Sequence, residues 1–319
     1  MEIQSEKIAF DLDELLTCPK CGKQNPPNRS SCLYCTARLE MPARYETAVR
    51  LNLRPLEGWE NGFNIVYVPP AAKPDRAAIA RYLKYEPELL GEMLDAGSPF
   101  PLARIESGAD ADLAVKNLKV LGLKAKVVKD VDLKIGKPNI RLRSIEFGDE
   151  SVALTSFNTA EVTRFGSDSI ALIVTGRIVE SKAESVEKRK KKERKVLDES
   201  STSSDEMLID LYTKESIQGW RLAARGFDFS GLGKSKKLLA KDNLETLLKM
   251  LRSFASSAVF IDEYAARMNT LTSVWDIERR TDFEGLKRAG VGKMGFGNVV
   301  RTSNLTQFTK YSRLQRLML

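Results

Sequence analysis

Four cysteines near the start of the chain form the clearest chemical motif in the sequence. Cys18 and Cys21 form one C-x2-C pair, and Cys32 and Cys35 form a second pair after ten intervening residues. Two such pairs can supply four thiolates in tetrahedral geometry, which is the arrangement of a closed structural zinc site. Gly22, directly after the first pair, permits the left-handed turn that such a pair needs. We therefore predict that these four cysteines bind one structural Zn²⁺ ion.

The segment that contains the cysteines, CPKCGKQNPPNRSSCLYC, resembles zinc ribbons, which are small modules common in bacterial proteins. The same spacing would also suit two disulfides in a secreted protein. Residues 1–16, however, carry acids within their apolar stretch and lack a small-residue cleavage site, so they do not resemble a signal peptide. No stretch approaches the roughly 20 apolar residues that span a bilayer. We therefore expect a cytoplasmic protein whose thiols stay reduced and bind metal.

Histidine is absent from the sequence, and this absence limits the chemistry available to the protein. It removes the usual general base near neutral pH, the usual ligand of catalytic metals and every nucleophile activated by an imidazole. No cysteine remains outside the four-cysteine motif. We therefore predict that the protein is not an enzyme. A catalytic site built from carboxylates, lysine, tyrosine or a Ser–Lys pair is the remaining enzymatic alternative, although none forms a recognisable motif.

Two glycine-rich segments match nucleotide-binding motifs only in part. Residues 231–235, GLGKS, resemble the end of a phosphate-binding loop, but the position five residues before Gly233 is Asp228, an acid that would repel phosphate. We expect a turn there, after a last strand. Residues 290–295 match a dinucleotide fingerprint, but no predicted strand precedes them and no helix with a distal acid follows. We expect a flexible hinge before the final helix.

The net charge of +8 is unevenly distributed. Residues 188–195 contain seven bases and one acid, and the acidic stretch 198–206 follows. Such a run could bind nucleic acid or an anionic membrane, where each base contributes on the order of 1 kcal/mol. We favour neither partner, because no aromatic side chain lies among the bases and the acids offset the field. The run is predicted to lie in a disordered loop, residues 180–205.

The elements that must position these residues form several domains, as expected for a chain of 319 residues. The predicted fold class is multidomain α+β. The predicted order along the chain is a zinc ribbon (1–40), a connector (41–60), a small βααβαβ domain (61–133), an antiparallel barrel with a C-terminal helix (134–260), and a helical tail (261–319).

In the βααβαβ domain, strands are predicted at 63–68, 101–105 and 123–128, and helices at 75–83, 87–94 and 112–121. Its second half, SPFPLARIESGADADLAVKNLKVLGLKAKVV, resembles the C-terminal domain of the bacterial ribosomal stalk protein L7/L12. In that family the two earlier helices bind translation factors through a glycine-containing turn and several lysines. The corresponding segment here, KYEPELLGEMLD, lacks that signature. The resemblance therefore implies the fold and not the translation-factor role.

The barrel is predicted from a series of segments with the alternating or apolar pattern of β-strands, followed by one amphipathic helix. Asp242 and Glu245 form a capping box at the start of that helix. Antiparallel strands closed by a C-terminal amphipathic helix resemble a pleckstrin-homology-like (PH-like) barrel, a fold that by itself gives no function. The strands are predicted at 141–147, 151–157, 169–179, 207–212 and 219–229, and the helix stripe comprises Leu244, Leu247, Leu248, Leu251 and Phe254.

The chain ends in a predicted basic amphipathic helix, residues 304–319, with Asn304 and Gln307 as a capping box. We expect this helix to pack on the barrel of its own chain, with Lys310, Arg313 and Arg316 facing water. Docking on a partner or a membrane is the alternative. Its apolar residues recur every three positions, at Leu305, Phe308, Tyr311, Leu314 and Leu317.

These features predict a non-enzymatic adaptor or scaffold that mediates protein–protein interaction and contains a structural zinc site. The alternative function is a nucleic-acid- or ribosome-associated factor that uses the ribbon and the basic segments.

Overall fold

The computed structural model divides the chain into two compact units, Met1–Asp132 and Leu133–Leu319. Their architecture is mixed α+β, with one large curled sheet and two small sheets, which confirms the predicted class. The predicted connector, residues 41–60, lies almost entirely outside the described residues. The structure describes residues 14–27, 29–40, 53, 56–58, 60–69, 73–190, 193–290 and 293–319, with the side chains of 189, 190, 193–195, 289 and 293 excepted.

The first unit begins with a small cysteine-containing module. Strands β1 (Leu16–Thr17) and β2 (Gln24–Asn25) pair antiparallel around the first cysteine pair. A bridge between Ser31 and Arg38 encloses the second pair in the same way. The module is therefore two short hairpins, and its small core comprises Cys18, Cys32 and Leu39.

The rest of the first unit has the predicted order of strands and helices. The central strand β3 pairs antiparallel with both β4 and β5 to form a three-stranded sheet. The last helix begins four residues earlier than predicted, because Ser107 caps it by accepting a hydrogen bond from the Asp110 backbone N–H. The elements are β3 (Phe63–Tyr67), α1 (Arg76–Leu83), α2 (Pro87–Leu94), β4 (Phe100–Ile105), α3 (Gly108–Val120) and β5 (Ala125–Lys129).

The second unit contains the large sheet and three α-helices within its described residues. The strands are β6 (Ile140–Phe147), β7 (Ser151–Ser156), β8 (Val162–Gly166), β9 (Ile170–Lys190), β10 (Glu193–Thr213), β11 (Trp220–Ala223), β12 (Val259–Ile261), β13 (Glu278–Gly290) and β14 (Lys293–Ser303), and the helices are α4 (Ala240–Phe254), α5 (Tyr264–Leu271) and α6 (Leu305–Met318).

The large sheet has the strand order β13-β14-β9-β10-β11-β6-β7-β8, with β12 pairing to the first part of β9. Neighbouring strands are antiparallel, except that β11 runs parallel to β6 and β12 runs parallel to β9. The sheet curls into a half-barrel around α4. Leu244, Leu247 and Leu251 of this helix are buried in the main core of the unit, which confirms the predicted leucine stripe.

The start of α4 differs from the prediction. The helix begins at Ala240 and Leu239 is its N-cap residue, without a capping side chain. Asp242 lies inside the first turn instead of capping it. A carboxylate in the first turn still interacts favourably with the helix dipole, so the residue stabilises the same helix end by another mechanism.

The predicted disorder of residues 180–205 is wrong. Strands β9 and β10 form one long antiparallel hairpin through this region, and the second half of β9 also pairs with β14, from Glu187↔Phe296 to Glu180↔Ser303. The segment has few apolar residues, which is why its composition predicted a loop. Pairing on both sides satisfies the backbone groups of β9 and supplies the order that side-chain burial does not.

The region predicted as a helical tail, residues 261–319, contains two strands, β13 and β14, as well as the helices α5 and α6. The predicted hinge is wrong for the described residues of the glycine-rich segment, because Gly290 ends β13 and residues 293–295 begin β14. Residues 291 and 292 lie outside the described residues. Glycine is needed at position 295, because a Cβ atom there would lie 2.6 Å from the carbonyl oxygen of Glu187 on the neighbouring strand.

The predicted final helix is present as α6 and packs against its own unit. Phe308, Tyr311 and Leu314 are buried, and the ring of Phe308 lies where a side chain at Gly176 of β9 would be. Asn304 does not cap the helix with its side chain. It accepts a hydrogen bond from the Val179 backbone N–H (2.8 Å), which joins the start of α6 to β9.

The prediction that the bases of this helix face water is wrong for Arg313. Its side chain is fully buried and donates hydrogen bonds to the Lys137 carbonyl oxygen (2.7 Å) and to Asn139 Oδ1 (2.6 Å). Arg316 is partly exposed and donates to the Thr213 carbonyl oxygen (2.9 Å). The Nζ atom of Lys310 lies 5.9 Å from the ring centroid of Trp275.

Candidate metal centre

The four predicted ligands lie together in the first unit. The Sγ atoms of Cys18 and Cys35 are 3.5 Å apart, those of Cys21 and Cys32 are 3.6 Å apart, and all four lie within 4.8 Å of one another. A disulfide requires about 2.05 Å between sulfur atoms, so the cysteines are free thiols. Four sulfur atoms about 2.3 Å from a central ion would stand about 3.8 Å apart. The cluster therefore has the dimensions of a tetrahedral metal site.

Two equivalent turns bring the thiols together. In the first turn the Gly22 N–H donates to the Cys18 carbonyl oxygen (2.9 Å), and in the second the Thr36 N–H donates to the Cys32 carbonyl oxygen (3.0 Å). Both residues have left-handed backbone angles, with φ of 70° at Gly22 and 57° at Thr36. The second turn therefore places a β-branched residue where the first has glycine, at a cost in conformational energy.

Asn25 lies next to the cysteine cluster and holds it in place by hydrogen bonds. The cysteine motif in the sequence did not identify this residue. Its side chain is fully buried and donates to the Lys23 carbonyl oxygen (2.8 Å) and to the Cys32 Sγ atom (3.5 Å). Its Oδ1 atom accepts a hydrogen bond from the Leu33 N–H (2.8 Å). One amide group thus joins the two turns and orients a ligand, which is the role of outer-shell residues in metal sites.

The four thiols need a bound cation if all of them are to be ionised near neutral pH. Burial opposes ionisation of Cys32, but hydrogen bonds from the backbone N–H groups of Tyr34 and Cys35, together with those from side chains, lower its pKa to about 6. The pKa of Cys21 is lowered by the Lys23 N–H, but desolvation and the other three thiols outweigh this effect and raise it to about 12. Without a cation, the four groups therefore cannot all ionise near neutral pH.

The donor set leaves no vacant ligand position. Four thiolates complete a tetrahedral coordination sphere, whereas catalytic zinc sites have three protein ligands and an open position. Cys18 and Cys32 are buried, so a metal ion here would be shielded on one side by the small core. The cluster can hold an ion and stabilise the fold around it, and it has no place for a substrate.

The turn between the second pair of cysteines exposes apolar side chains. Leu33 is 53% exposed and Tyr34 is 58% exposed. The Nζ atom of Lys23, from the first turn, lies 4.3 Å from the centroid of the Tyr34 ring, a cation–π contact that orients the ring. The two turns therefore display one aromatic and one aliphatic side chain beside a base.

The glycine-rich segment 231–235 does not form a phosphate site. It lies in a 3₁₀ helix, Phe229–Ser235, and a side chain at Gly231 would collide with the carbonyl oxygen of Ile145 at 2.1 Å. Asp228 accepts a hydrogen bond from the Ser230 N–H (2.9 Å), so a carboxylate occupies the start of this turn. Gly231 thus permits close backbone packing, and Gly233 permits a left-handed turn with a φ of 51°, so both glycines have a structural role.

The buried ion pair of the second unit serves packing. Arg221 donates two hydrogen bonds of 2.7 Å to the carboxylate of Asp210, and its guanidinium also lies 5.2 Å from the centroid of the Phe308 ring. Burial raises the pKa of the nearby Tyr212 to about 12, and its hydroxyl is 2.8 Å from that of Ser312. These groups connect the sheet to α6, and their polar atoms are engaged with one another.

Comparison with known proteins gives no match to a protein family model, to a curated protein or to a solved structure. Among the residues that the structure describes, no helix is long and apolar enough to cross a membrane.

The two turn residues provide a test of the site. Gly22→Ala is expected to weaken zinc binding about fivefold, because a left-handed backbone costs alanine about 1 kcal/mol. Thr36→Asn is expected to strengthen binding by up to about the same factor, because asparagine tolerates this conformation and threonine does not. Competition titrations against a chromogenic zinc chelator measure both effects. Equal affinities for the two variants would contradict the explanation based on backbone strain.

Proposed function

We propose that the protein is a non-enzymatic adaptor in which Cys18, Cys21, Cys32 and Cys35 hold one structural zinc ion in a zinc ribbon. The observation that carries this proposal is the exposed pair formed by Leu33 and Tyr34 in a turn whose flanking cysteines are the proposed metal ligands. Zinc would fix the turn before a partner arrives, so less conformational entropy would be lost on binding.

The chemistry of the ribbon supports binding rather than catalysis. An exposed tyrosine beside an aliphatic residue and a base combines side chains that contribute strongly to protein–protein interfaces. The four-thiolate set has no open ligand position for Lewis-acid chemistry. The absence of histidine further removes the usual proton carrier at neutral pH.

The two larger domains are proposed to be binding modules as well. The order β3-α1-α2-β4-α3-β5 supports a fold like that of the stalk protein's C-terminal domain, and strands β6 to β11 with α4 support a PH-like barrel. Neither likeness assigns a partner, because each fold serves several functions. The adaptor proposal therefore depends on the ribbon surface.

Site-specific photo-crosslinking tests the proposal. A photoreactive phenylalanine derivative at position 34 is expected to give a discrete protein adduct in the producing cell. The adduct should disappear in the Leu33→Ser variant, which retains all four cysteines, and after zinc chelation. The same derivative at Val120, an 81% exposed position of the same unit, is the matched control and should give no such adduct.

Two results would contradict the adaptor. Identical adducts at positions 34 and 120, or none at position 34, would show that the turn is not a protein-binding surface. An adduct that is lost on ribonuclease treatment would instead favour the alternative function, a nucleic-acid- or ribosome-associated factor, for which a ribbon is equally suited.

A further inference from the structure

Four strands of the second unit extend beyond its core as an arm. The arm consists of β13, β14, the second half of β9 (180–190) and the facing half of β10 (193–206). Residues directly opposite each other on neighbouring strands share a face of a sheet, so the pairing register assigns each side chain to one of two faces.

One face of the arm is covered by ion pairs. Lys182 pairs with Glu184, Lys287 with Glu284, and Arg301 with Asp282. Beneath these charged side chains, Val186 and Val299 are buried. The charged groups of this face are paired within the chain, so the face presents an ordinary polar surface to water.

The opposite face carries an apolar patch. Leu286 lies opposite Phe296, Phe296 lies opposite Glu187, and Glu187 lies opposite Val196, so these residues form one row across the arm. Phe283 joins the same face because a bulge at Glu284 and Gly285 shifts the alternation by one residue. The apolar members and their exposed fractions are Phe283 (76%), Leu286 (64%), Met294 (56%), Phe296 (52%) and Val196 (51%).

A patch of this size is unusual for a surface left in water. Five large side chains, each at least half exposed, present on the order of several hundred Å² of apolar area. Patches of that extent mark sites that bind another surface. The charge at the same end of the arm indicates which kind of surface.

The end of the arm is strongly basic. The register brings the end of β9 and the start of β14 to the same end of the arm, because Phe296, three residues after the start of β14, pairs with Glu187, three residues before the end of β9. Residues 188–195 and 288–293 together contain nine bases and one acid. Of these, Lys188 and Arg288 are exposed. The apolar patch therefore lies directly beside a concentration of positive charge.

We propose that the end of this arm binds the surface of an anionic lipid bilayer. The apolar side chains enter the interface between headgroups and acyl chains, while the bases bind headgroup phosphates. The long stems of lysine and arginine allow their charged ends to remain at headgroup level. Neither part suffices alone, because interfacial binding combines apolar burial with attraction to anionic lipids.

Two other occupants fit the arm less well. A single-stranded nucleic acid requires a series of rings on which successive bases stack, but the patch offers only Phe283 and Phe296, and its other three members are aliphatic. A second copy of the chain would bring two strongly basic ends together, and like charges oppose that contact.

Vesicle flotation with the purified full-length protein tests the proposal. We expect binding to phosphatidylcholine vesicles that contain phosphatidylserine, little binding to phosphatidylcholine alone, and a loss of binding as salt rises. The double variant L286S/F296S keeps every charge, and its binding to the anionic vesicles should fall by at least about tenfold. Leu238→Ser is the matched control, because Leu238 is 97% exposed in the same unit but lies outside the arm.

A second variant tests the charges separately. Lys188→Glu combined with Arg288→Glu leaves the apolar patch intact and should also lose binding to the anionic vesicles. Circular dichroism melting verifies that each variant is folded, as expected for substitutions at exposed positions.

The outcomes are distinct from those for the adaptor, because vesicle binding needs no protein partner. The proposal is overturned if neutral and anionic vesicles bind equally, or if L286S/F296S binds as well as L238S. It is also overturned if a single-stranded oligonucleotide binds more tightly than the vesicles, or if the patch instead mediates dimerisation in solution.

Discussion

Cys32→Ser is expected to abolish binding of the proposed zinc ion and to unfold the cysteine module, residues 14–40. Cys32 is buried in the small core of the module, and its sulfur accepts hydrogen bonds from Asn25 and from the Tyr34 N–H. Metal binding contributes about 10–16 kcal/mol to the folding of comparable small modules, and this core alone cannot replace it. The zinc content of the purified protein, measured by mass spectrometry of the metal, provides the readout.

A matched control separates ligand loss from a general effect of substitution. Ser31→Ala changes the neighbouring residue and leaves all four thiols in place, so it should retain one zinc ion. The thermal transition of the second unit should be unchanged in both variants, because its core is separate. Wild-type protein without zinc, or C32S protein that still binds one equivalent, would refute the zinc site.

Arg313→Met is expected to destabilise the second unit by about 3 kcal/mol or more, through buried acceptors left without a donor. The Arg313 guanidinium donates to the carbonyl oxygens of Leu133, Lys134 and Lys137 and to Asn139 Oδ1. Methionine fills a similar volume but donates no hydrogen bond. The free energy of unfolding from urea titration measures the loss.

Arg316→Met is the control for this substitution on the same helix. Arg316 is partly exposed, so water can replace its hydrogen bond to Thr213 and the expected loss is below about 1 kcal/mol. Similar losses for the two variants would show that Arg313 stabilises the protein by packing alone. A loss for R316M that exceeds the loss for R313M would contradict the assignment of a buried anchor.

The βααβαβ domain could be predicted because its signals are local. Asp75 accepts a hydrogen bond from the Ala78 N–H at the start of α1, and Pro87 opens α2, so both helices begin within one residue of the predicted start. Capping residues and helical periodicity operate within a few residues, so they can be identified without knowledge of the neighbours. Errors there are confined to the ends of the elements.

The long hairpin of β9 and β10 could not be predicted, because the interactions that order it are not local in the sequence. Its outer half is charged and rich in serine, and local composition predicted disorder. The partner that orders β9 is β14, more than a hundred residues away in the chain. The same pairing creates the apolar patch, because Phe283 and Phe296 fall on one face only when the register and the bulge are known.

The sequence by itself determined the four thiols, their spacing and the helices with a regular apolar stripe, because each depends on short-range geometry. Tertiary structure decided what surrounds them. It buried Asn25 behind Cys32, and it turned Arg313 from a predicted surface base into an internal donor. A polar side chain has the same pattern in the sequence whether it meets water or buried carbonyl groups. Only the packing of distant segments determines which of these surroundings it has, and hence whether it is solvated or holds the fold together.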